Sequence, residues 1–211
     1  MTMTFYDFSM APSPRRARIL LAEKGVAFDT VEIDMRKAEQ LGDDFRAINP
    51  SCTIPALKLD DGTVLTENAG IAAYLEAQFP NPPMLGTTSV EKGLVANWTA
   101  KVELEGLSAV AEALRNSSPG MRDRAMTGPV NRQQIPELAE RGLSRLDDFF
   151  DMLDARLEGR EFLAIDCFSN ADITAAVVVD FARVVKVKAK DHHKNILRWR
   201  ESLNNRPSMA L

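Results

Sequence analysis

The sequence predicts two successive domains of different fold class, an α/β domain over residues 1–80 and an all-helical domain over residues 87–211. Strand-like alternation of apolar and polar residues is concentrated in the first third of the chain, whereas helical patterns fill the remainder. Residues 81–86, which connect the two, begin with Asn-Pro-Pro and are predicted to be a linker. With 211 residues, of which 45% are hydrophobic, the chain is long enough to bury a core in each domain.

The α/β domain is predicted to begin with a strand, a helix and a second strand. Met3–Asp7 is rich in strand-forming residues, and Phe28–Ile33 alternates in the way a strand does. A helix is expected to start with Pro14 at its first position and Ser13 as its N-cap, and Gly25 is placed to end it. Two strands joined by one helix in so few residues predict a parallel pair.

A hairpin preceded by a proline is the next predicted feature. The apolar runs Ala56–Leu59 and Val64–Leu65 are separated by an Asp-Asp-Gly turn, and an Asp-Gly pair in this position favours a tight hairpin. Because proline cannot donate to a strand ladder, Pro55 is expected at the start or edge of the first strand. A cis peptide between Ile54 and Pro55 would leave the backbone of Ile54 accessible to a ligand.

Two further helices complete the α/β domain. A short helix is expected near Asp43–Ile48, and a longer one over Glu67–Phe79, where Ile71, Tyr74 and Leu75 share one face. The resulting order, βαβαββα, is the thioredoxin-like arrangement.

After the linker, helical patterns dominate. They cover four segments, which are about Ser89–Arg115, Gln134–Leu157, Asn170–Val187 and Lys194–Leu203. Asn116–Asn131 contains a Pro-Gly and a Gly-Pro pair and is expected to be a long surface excursion. Ser169, followed three residues later by Asp172 and then by apolar residues, predicts a capping box with a role in folding.

Composition and charge disfavour several classes of function. The net charge is −4 and no dense basic tract occurs, so nucleic acid and membrane are not expected as partners. Cys52 and Cys167 form no C-x-x-C pair, which fits a reducing cytoplasm and excludes a cysteine-based zinc site. His192 and His193 are adjacent, so they are expected on the surface, and no metal is predicted.

The stretch from residue 49 to residue 74 carries a resemblance to a known family. Asn49–Pro50, Thr53–Pro55, the hairpin and Thr66–Asn68 resemble the glutathione-binding unit of cytosolic glutathione transferases, in the form found in bacterial, theta-like, serine-type members. The capping box, Trp199 and Arg206–Ser208 resemble the family's helical domain, so the resemblance extends over essentially the whole chain.

The resemblance implies a binding site for glutathione as co-substrate. Ile54 would pair with its cysteinyl part, main chain to main chain, with Thr53 and Pro55 beside it. Glu67 and Asn68 would hold its γ-glutamyl end. The alternative interpretation of Glu67 is an acidic residue favoured at a helix N-terminus.

Three further positions, Asn68, Cys52 and Gln40, lie in or near this unit and bear on ligand binding. The family's usual sequence after the hairpin is Glu-Ser, and Asn68 in place of the serine keeps both a donor and an acceptor. Cys52 stands where a glycine is more usual. Gln40 lies nine residues before Asn49, where related enzymes hold the glycine carboxylate of the ligand, although an uninvolved polar loop residue explains it equally well.

The residue that activates the glutathione thiol is the open question. In serine-type members a serine precedes the first helix, but an ungapped count places it near Ala11 or Pro12, neither of which has a hydroxyl. Ser13 is the first candidate and Ser9 the second, while Tyr6 is the residue that a tyrosine-type enzyme would use. A site formed by backbone alone, or assisted by Arg15, is the remaining alternative. Each candidate also has a structural interpretation: helix cap, loop hydroxyl, strand aromatic and solvated arginine.

The resemblance implies a cytoplasmic, homodimeric glutathione transferase that acts on a small apolar electrophile by conjugation, or that reduces peroxides or disulfides. The electrophile would bind in a cleft, for which Met10, Trp98, Val102 and Leu114 are candidate wall residues. One alternative is a catalytically silent binding or scaffold protein of the same fold. Another is a glutathione-dependent isomerase or disulfide reductase.

Overall fold

The computed structural model describes residues 3–211 and divides into two compact units. The first comprises the chain through Pro82 together with Met126–Asn131 and Leu211, and the second comprises Pro83–Ala125 and Arg132–Ala210. The division falls between two prolines of the predicted linker. The predicted boundaries at residues 80 and 87 stay predictions. Within the expected excursion over Asn116–Asn131, the last six residues group with the first unit.

The first unit is built on a four-stranded mixed sheet with the strand order β2-β1-β3-β4. The strands are β1 (Thr4–Asp7), β2 (Asp29–Glu32), β3 (Ala56–Lys58) and β4 (Val64–Leu65). β1 runs parallel to β2 and antiparallel to β3, and β3 and β4 form the predicted hairpin with Leu57 opposite Leu65. Together with helices α1 (Pro12–Glu23), α2 (Asp43–Ile48) and α3 (Asn68–Gln78), they give the order βαβαββα, which confirms the thioredoxin-like prediction.

The start of α1 differs from the prediction. The helix begins at Pro12, its N-cap is Ala11, and no side chain caps it. Ser13 is therefore the second residue of the helix, and its prediction as the N-cap is wrong. The reason is that Pro12 and Pro14 are both compatible with the first turn, where a missing N–H breaks no helical hydrogen bond. The helix consequently starts at the earlier proline.

Lys24, at the end of α1, fastens that helix to the end of α3. Its side chain is fully buried, and its ammonium group contacts a Glu76 carboxylate oxygen at 2.5 Å. It also donates to the carbonyl oxygens of Phe79 at 2.8 Å and Pro82 at 2.6 Å. Because a buried ammonium group is costly unless it is paired, these three acceptors fix how the two helices lie against each other. The opposite ends of α1 and α3 are the ends that carry the candidate site residues.

The second unit is helical. Its helices are α4 (Ser89–Lys101), α5 (Ser108–Ser117), α6 (Pro136–Arg156), α7 (Asn170–Phe181) and α8 (Lys194–Ser202), and a π-helical segment, Val102–Leu107, joins α4 to α5. α7 is buried along nearly its whole length, so it forms the centre of this unit. None of the helices in residues 3–211 is both long and apolar enough to cross a membrane.

The predicted capping box at the start of α7 is confirmed, and it belongs to a larger buried network. One oxygen of the Asp172 carboxylate accepts from the N–H and the hydroxyl of Ser169 at 3.1 and 3.0 Å. The other oxygen accepts from the N–H of Leu163 at 2.8 Å and from the indole N–H of Trp199 at 3.2 Å. Burial raises the pKa of Asp172, while these hydrogen bonds act in the opposite direction.

Replacing Asp172 by alanine is expected to destabilise the protein strongly. The change leaves four buried donors without their acceptor, and each such donor costs about 1–3 kcal/mol. We expect a loss of at least about 3 kcal/mol in the free energy of unfolding, measured by urea denaturation. Asp191→Ala, which removes an exposed carboxylate from the same unit, is the control. A loss below about 1 kcal/mol for Asp172→Ala would contradict a structural role for this network.

Candidate functional site

A cluster of apolar side chains lies beneath the candidate site residues of the first unit. Its buried members come from several parts of the chain and are Phe8, Ile33, Phe45, Ile54 and Ala56. Ala11, the N-cap of α1, and Val64, near the start of α3, pack against the same cluster. The cluster therefore brings three stretches together, namely the start of α1, the residue before Pro55 and the strand that leads to Glu67.

The main chain of Ile54 is the most unusual backbone of this region. Its side chain belongs to the cluster, and the residue as a whole is only 9% exposed. The peptide between Ile54 and Pro55 is cis, as predicted. Within residues 3–211, neither the N–H nor the C=O of Ile54 has a hydrogen-bond partner. Backbone groups of a buried residue are almost always hydrogen-bonded. The N–H and C=O of Ile54 are therefore open to a ligand or to water.

The loop before Ile54 is held in place by Asn49, which is 1% exposed. The amide nitrogen of its side chain donates to the carbonyl oxygen of Thr53 at 2.7 Å and to its hydroxyl at 3.1 Å. Its side-chain oxygen accepts from the N–H of Ser51 at 3.0 Å. Asn49 is part of the sequence motif, but the sequence indicated no role for its side chain. The structure identifies it as the residue that shapes the loop, and two of its contacts fix Thr53.

Cys52 occupies a left-handed backbone conformation, with φ of +54°. Residues with a side chain rarely adopt this conformation, whereas glycine adopts it freely. The geometry therefore explains why a glycine is more usual at this place in the family that the sequence resembles. The Cys52 thiol is buried and lies 3.6 Å from the carbonyl oxygen of Pro50.

Glu67 and Asn68 stand at the N-terminus of α3. Glu67 is the N-cap, its side chain is exposed, and it makes no capping hydrogen bond. Asn68 is the first residue of the helix and is half-buried. No ion pair engages the Glu67 carboxylate in the described part of the chain. A free carboxylate next to a helix N-terminus is available to bind a cationic group.

The two candidate serines near α1 differ in their surroundings. The N–H and the hydroxyl of Ser9 both lie within hydrogen-bond distance of one Glu32 carboxylate oxygen, at 3.1 and 3.3 Å. Ser13 has no partner for its hydroxyl or its N–H among residues 3–211. Because Pro12 and Pro14 have no N–H, Ser13 supplies the donors of the first helical turn. The Ser13 hydroxyl is therefore free to bind an anion, whereas the Ser9 hydroxyl is already engaged.

The three other candidates from the sequence, Tyr6, Arg15 and Gln40, differ in the contacts that they make. Tyr6 lies on β1 with its ring edge-to-face against Phe45, at a centroid distance of 5.7 Å. Arg15 donates through Nε to the carbonyl oxygen of Leu211 at 2.8 Å. Gln40 is only 6% exposed, and its side-chain oxygen has no hydrogen-bond partner within the described residues. A buried amide oxygen of this kind is open to a ligand or a water molecule.

The predicted surface position holds for only one of the two adjacent histidines. His193 is only 2% exposed and stacks on Phe150, so its expected place on the surface is wrong, whereas His192 is exposed. Both histidines and Asp151 point their potential metal-ligating atoms towards one another. Nδ1 of His193 accepts from the N–H of Lys190 at 3.1 Å, so Nε2 carries the proton and donates to Asp151 at 2.8 Å. This tautomer leaves His193 no lone pair for an ion, and the contact with His193 lowers the pKa of Asp151. The predicted absence of a metal stays a prediction.

The four proposed cleft-wall residues differ in how far they are buried. Val102 is completely buried, so the prediction that it lines a substrate cleft is wrong. The ring of Trp98 is contacted by the Arg156 guanidinium at 4.7 Å and by the Lys101 ammonium at 5.4 Å. Met10 is 68% exposed, and Trp98 and Leu114 are half-buried, so these three stay candidates.

Comparison with known proteins finds similarity over both units. The glutathione S-transferase N-terminal domain model matches residues 11–78, and the glutathione S-transferase C-terminal domain model matches residues 119–207. Glutathione S-transferase 2 of Saccharomyces cerevisiae is 33% identical over 210 residues, which cover 98% of this chain and 88% of the relative.

Solved structures show the same similarity in three dimensions. A glutathione S-transferase domain-containing protein from Marinobacter aquaeolei VT8 superposes with a TM-score of 0.89 at 32% identity, covering 98% of this chain and 99% of that one. Gtt2 from Saccharomyces cerevisiae superposes with a TM-score of 0.89 at 33% identity, covering 98% of each chain. The similarity therefore includes the helical unit as well as the sheet unit.

Proposed function

This chain belongs to the glutathione S-transferase family, and from that premise we propose that it is a transferase that binds glutathione along Ile54 and ionises its thiol. The ionised sulfur then attacks a small apolar electrophile. The observation that carries the proposal is the unpaired main chain of Ile54, whose N–H and C=O have no partner in residues 3–211. A tripeptide can pair with both groups as a short added strand, which gives affinity through backbone hydrogen bonds.

The ends of the ligand are assigned by charge. Glutathione carries an α-amino and an α-carboxylate group on its γ-glutamyl residue and a carboxylate on its glycine. The free Glu67 carboxylate suits the ammonium group, and Asn68, at the N-terminus of α3, suits the neighbouring carboxylate. Thr53 and Pro55 flank the cysteinyl part. We assign Gln40 to the glycine end, where its side-chain NH₂ would donate to the carboxylate and its unpaired side-chain oxygen would accept from the glycine N–H.

Thiol ionisation is assigned to Ser13. A free thiol has a pKa near 8.5, and lowering this value by about two units requires roughly 2.7 kcal/mol. A hydroxyl that donates to a charged acceptor supplies about 1.5–3 kcal/mol, and the helix N-terminus adds about 0.3–1 kcal/mol. The unpaired hydroxyl and N–H of Ser13 provide both contributions. Ser9 is the second candidate, but its hydroxyl would have to leave Glu32 first.

The remaining parts of the proposal rest on family membership. We propose a homodimer in the cytoplasm and a cleft for the electrophile in which Met10 is the wall residue that the first unit provides. Conjugation is the proposed reaction, with reduction of peroxides or disulfides on the same site. A silent scaffold is the competing function, because Ala11 and Pro12 provide no hydroxyl where serine-type enzymes have one. Glutathione bound with an unshifted thiol pKa would favour that alternative.

Glu67→Ala is expected to weaken glutathione binding at least tenfold, because the γ-glutamyl ammonium group loses its charged partner. Isothermal titration calorimetry measures the change, and Glu67→Gln separates the charge from the shape of the side chain. Gln78→Ala, at the far end of α3, is the control and is expected to leave the affinity unchanged. Equal affinities for the wild type and Glu67→Ala would mean that the ligand lies elsewhere.

Ser13→Ala is expected to raise the pKa of the bound glutathione thiol by about one to two units, since one charged hydrogen bond is lost. The ultraviolet absorbance of the thiolate, followed as a function of pH in the complex, gives this pKa directly. Ser9→Ala is the matched control and is expected to change the pKa of the bound thiol only slightly. A rise in Ser9→Ala but not in Ser13→Ala would reverse the assignment.

A further inference from the structure

We propose that Arg18 is a positioning residue for the thiol site. It holds the peptide between Ser9 and Met10 in an orientation that presents the Met10 N–H to the glutathione sulfur. The inference rests on the proposed function and adds a backbone donor to it. Arg18 itself would not touch the ligand. It would act through the turn formed by residues 8–11, which we call the α1 turn.

Arg18 makes two contacts at once. One nitrogen of its guanidinium group pairs with the carboxylate of Asp7, at the end of β1. The other terminal nitrogen donates to the carbonyl oxygen of Ser9 at 3.2 Å. The two side chains are little exposed, at 14% for Arg18 and 5% for Asp7. A planar guanidinium fork held by a carboxylate has little freedom to rotate, so it fixes the direction of the Ser9 carbonyl group.

The direction of that carbonyl determines the direction of the next N–H. In a planar trans peptide the C=O and the N–H point to opposite sides, and the peptide between Ser9 and Met10 is not one of the cis bonds. Because the Ser9 oxygen points towards Arg18, the Met10 N–H points away from it. This N–H has no hydrogen-bond partner in the described part of the chain, and Met10 is 68% exposed.

The two N–H groups on either side of Met10 are already used. The N–H of Ser9 donates to Glu32, and the N–H of Ala11 donates to the carbonyl oxygen of Phe8 at 2.9 Å. Pro12 has no N–H. Between residues 9 and 12, therefore, Met10 supplies the backbone N–H that remains without a partner. Ser13 follows within the first turn of α1, so the two open donors lie close together in sequence.

Two features suit this arrangement to a developing anion. Asp7, Arg18 and Glu32 fix the α1 turn before any ligand arrives, so the donor needs no reorganisation when the thiol ionises. The donor is also a backbone group, which every substitution except proline retains. This explains how a chain with Ala11 and Pro12 at the expected serine position can still stabilise a thiolate.

The test compares the thiol pKa of bound glutathione in Arg18→Met with that in the wild type, by thiolate absorbance as a function of pH. We expect a rise of about one unit, which is a tenfold loss in the ionisation constant, and an affinity for glutathione within about threefold of the wild type. Arg18→Lys retains a charge for Asp7 but cannot reach both acceptors in the same geometry, so it is expected to show most of the same rise.

A control separates positioning from general stability. Arg200 forms an Arg–Asp pair with Asp180 in the second unit, at 2.9 Å and with both side chains 20% exposed. Arg200→Met should lower the melting temperature without changing the thiol pKa. An unchanged pKa in folded Arg18→Met, or in Arg18→Lys if the first variant does not fold, overturns the proposal.

The wild-type protein gives a second, independent readout. With ¹⁵N-labelled protein, the amide proton of Met10 should shift downfield on addition of glutathione and less so on addition of S-methylglutathione, which cannot ionise. A Met10 resonance that is unaffected by either ligand overturns the proposal regardless of how the variants fold. If the wild type leaves the bound thiol at its ordinary pKa, the proposed function fails and this inference fails with it. If the wild type lowers the thiol pKa, but the Arg18 variants leave that pKa unchanged and the Met10 resonance does not shift, the proposed function stands and this inference alone fails.

Discussion

The candidate site depends on Ile54, whose side chain is buried while its main chain has no hydrogen-bond partner within the described residues. The side chain is anchored in the apolar cluster of the first unit, and the main-chain groups without a partner in residues 3–211 are its N–H and C=O. Burying the side chain is favourable by about 1.5–3 kcal/mol, which fixes the backbone in place. Leaving two polar groups unpaired at such a residue is unfavourable unless a ligand or water completes them. The packing therefore holds open an edge that a peptide can extend.

The rest of the first unit determines what surrounds that edge. Asn49 shapes the loop on one side, and the left-handed Cys52 gives that loop its sharp turn. On the other side, β4 leads into α3, with Glu67 at its N-terminus. Lys24 holds the far ends of α1 and α3 against each other, so their N-termini are fixed indirectly. Each of these contacts is internal to the first unit.

Much of this could be predicted from the sequence because the signals are local. The hairpin followed from two apolar runs around an Asp-Gly turn, and the capping box at Asp172 followed from residues three apart. The start of α1 was misplaced because the two prolines on either side of Ser13 both satisfy the rules for a first helical turn. The local sequence allows the helix to start at either Pro12 or Pro14. Only the packing of Ala11 against the apolar cluster discriminates between these two starts.

The features that could not be predicted depend on contacts through space. The burial of His193 results from its stacking on Phe150 and its hydrogen bond to Asp151, which lies 42 residues away. In the sequence, Arg18 is one of three arginines in residues 15–18 of α1, and nothing marks it among them. Its connection to Asp7 and Ser9 becomes visible when β1 and α1 are placed side by side. Cys52 was recognised as a departure from the family pattern, but its positive φ required the backbone itself.

The most direct test of the account is a crystal structure of the protein with glutathione bound. We expect the cysteinyl residue of the ligand to lie antiparallel to the chain at Ile54, with both N···O distances to the Ile54 backbone at about 2.9 Å. Glutathione bound at another place, or bound here with the Ile54 N–H and C=O still unpaired or satisfied by water alone, would contradict it.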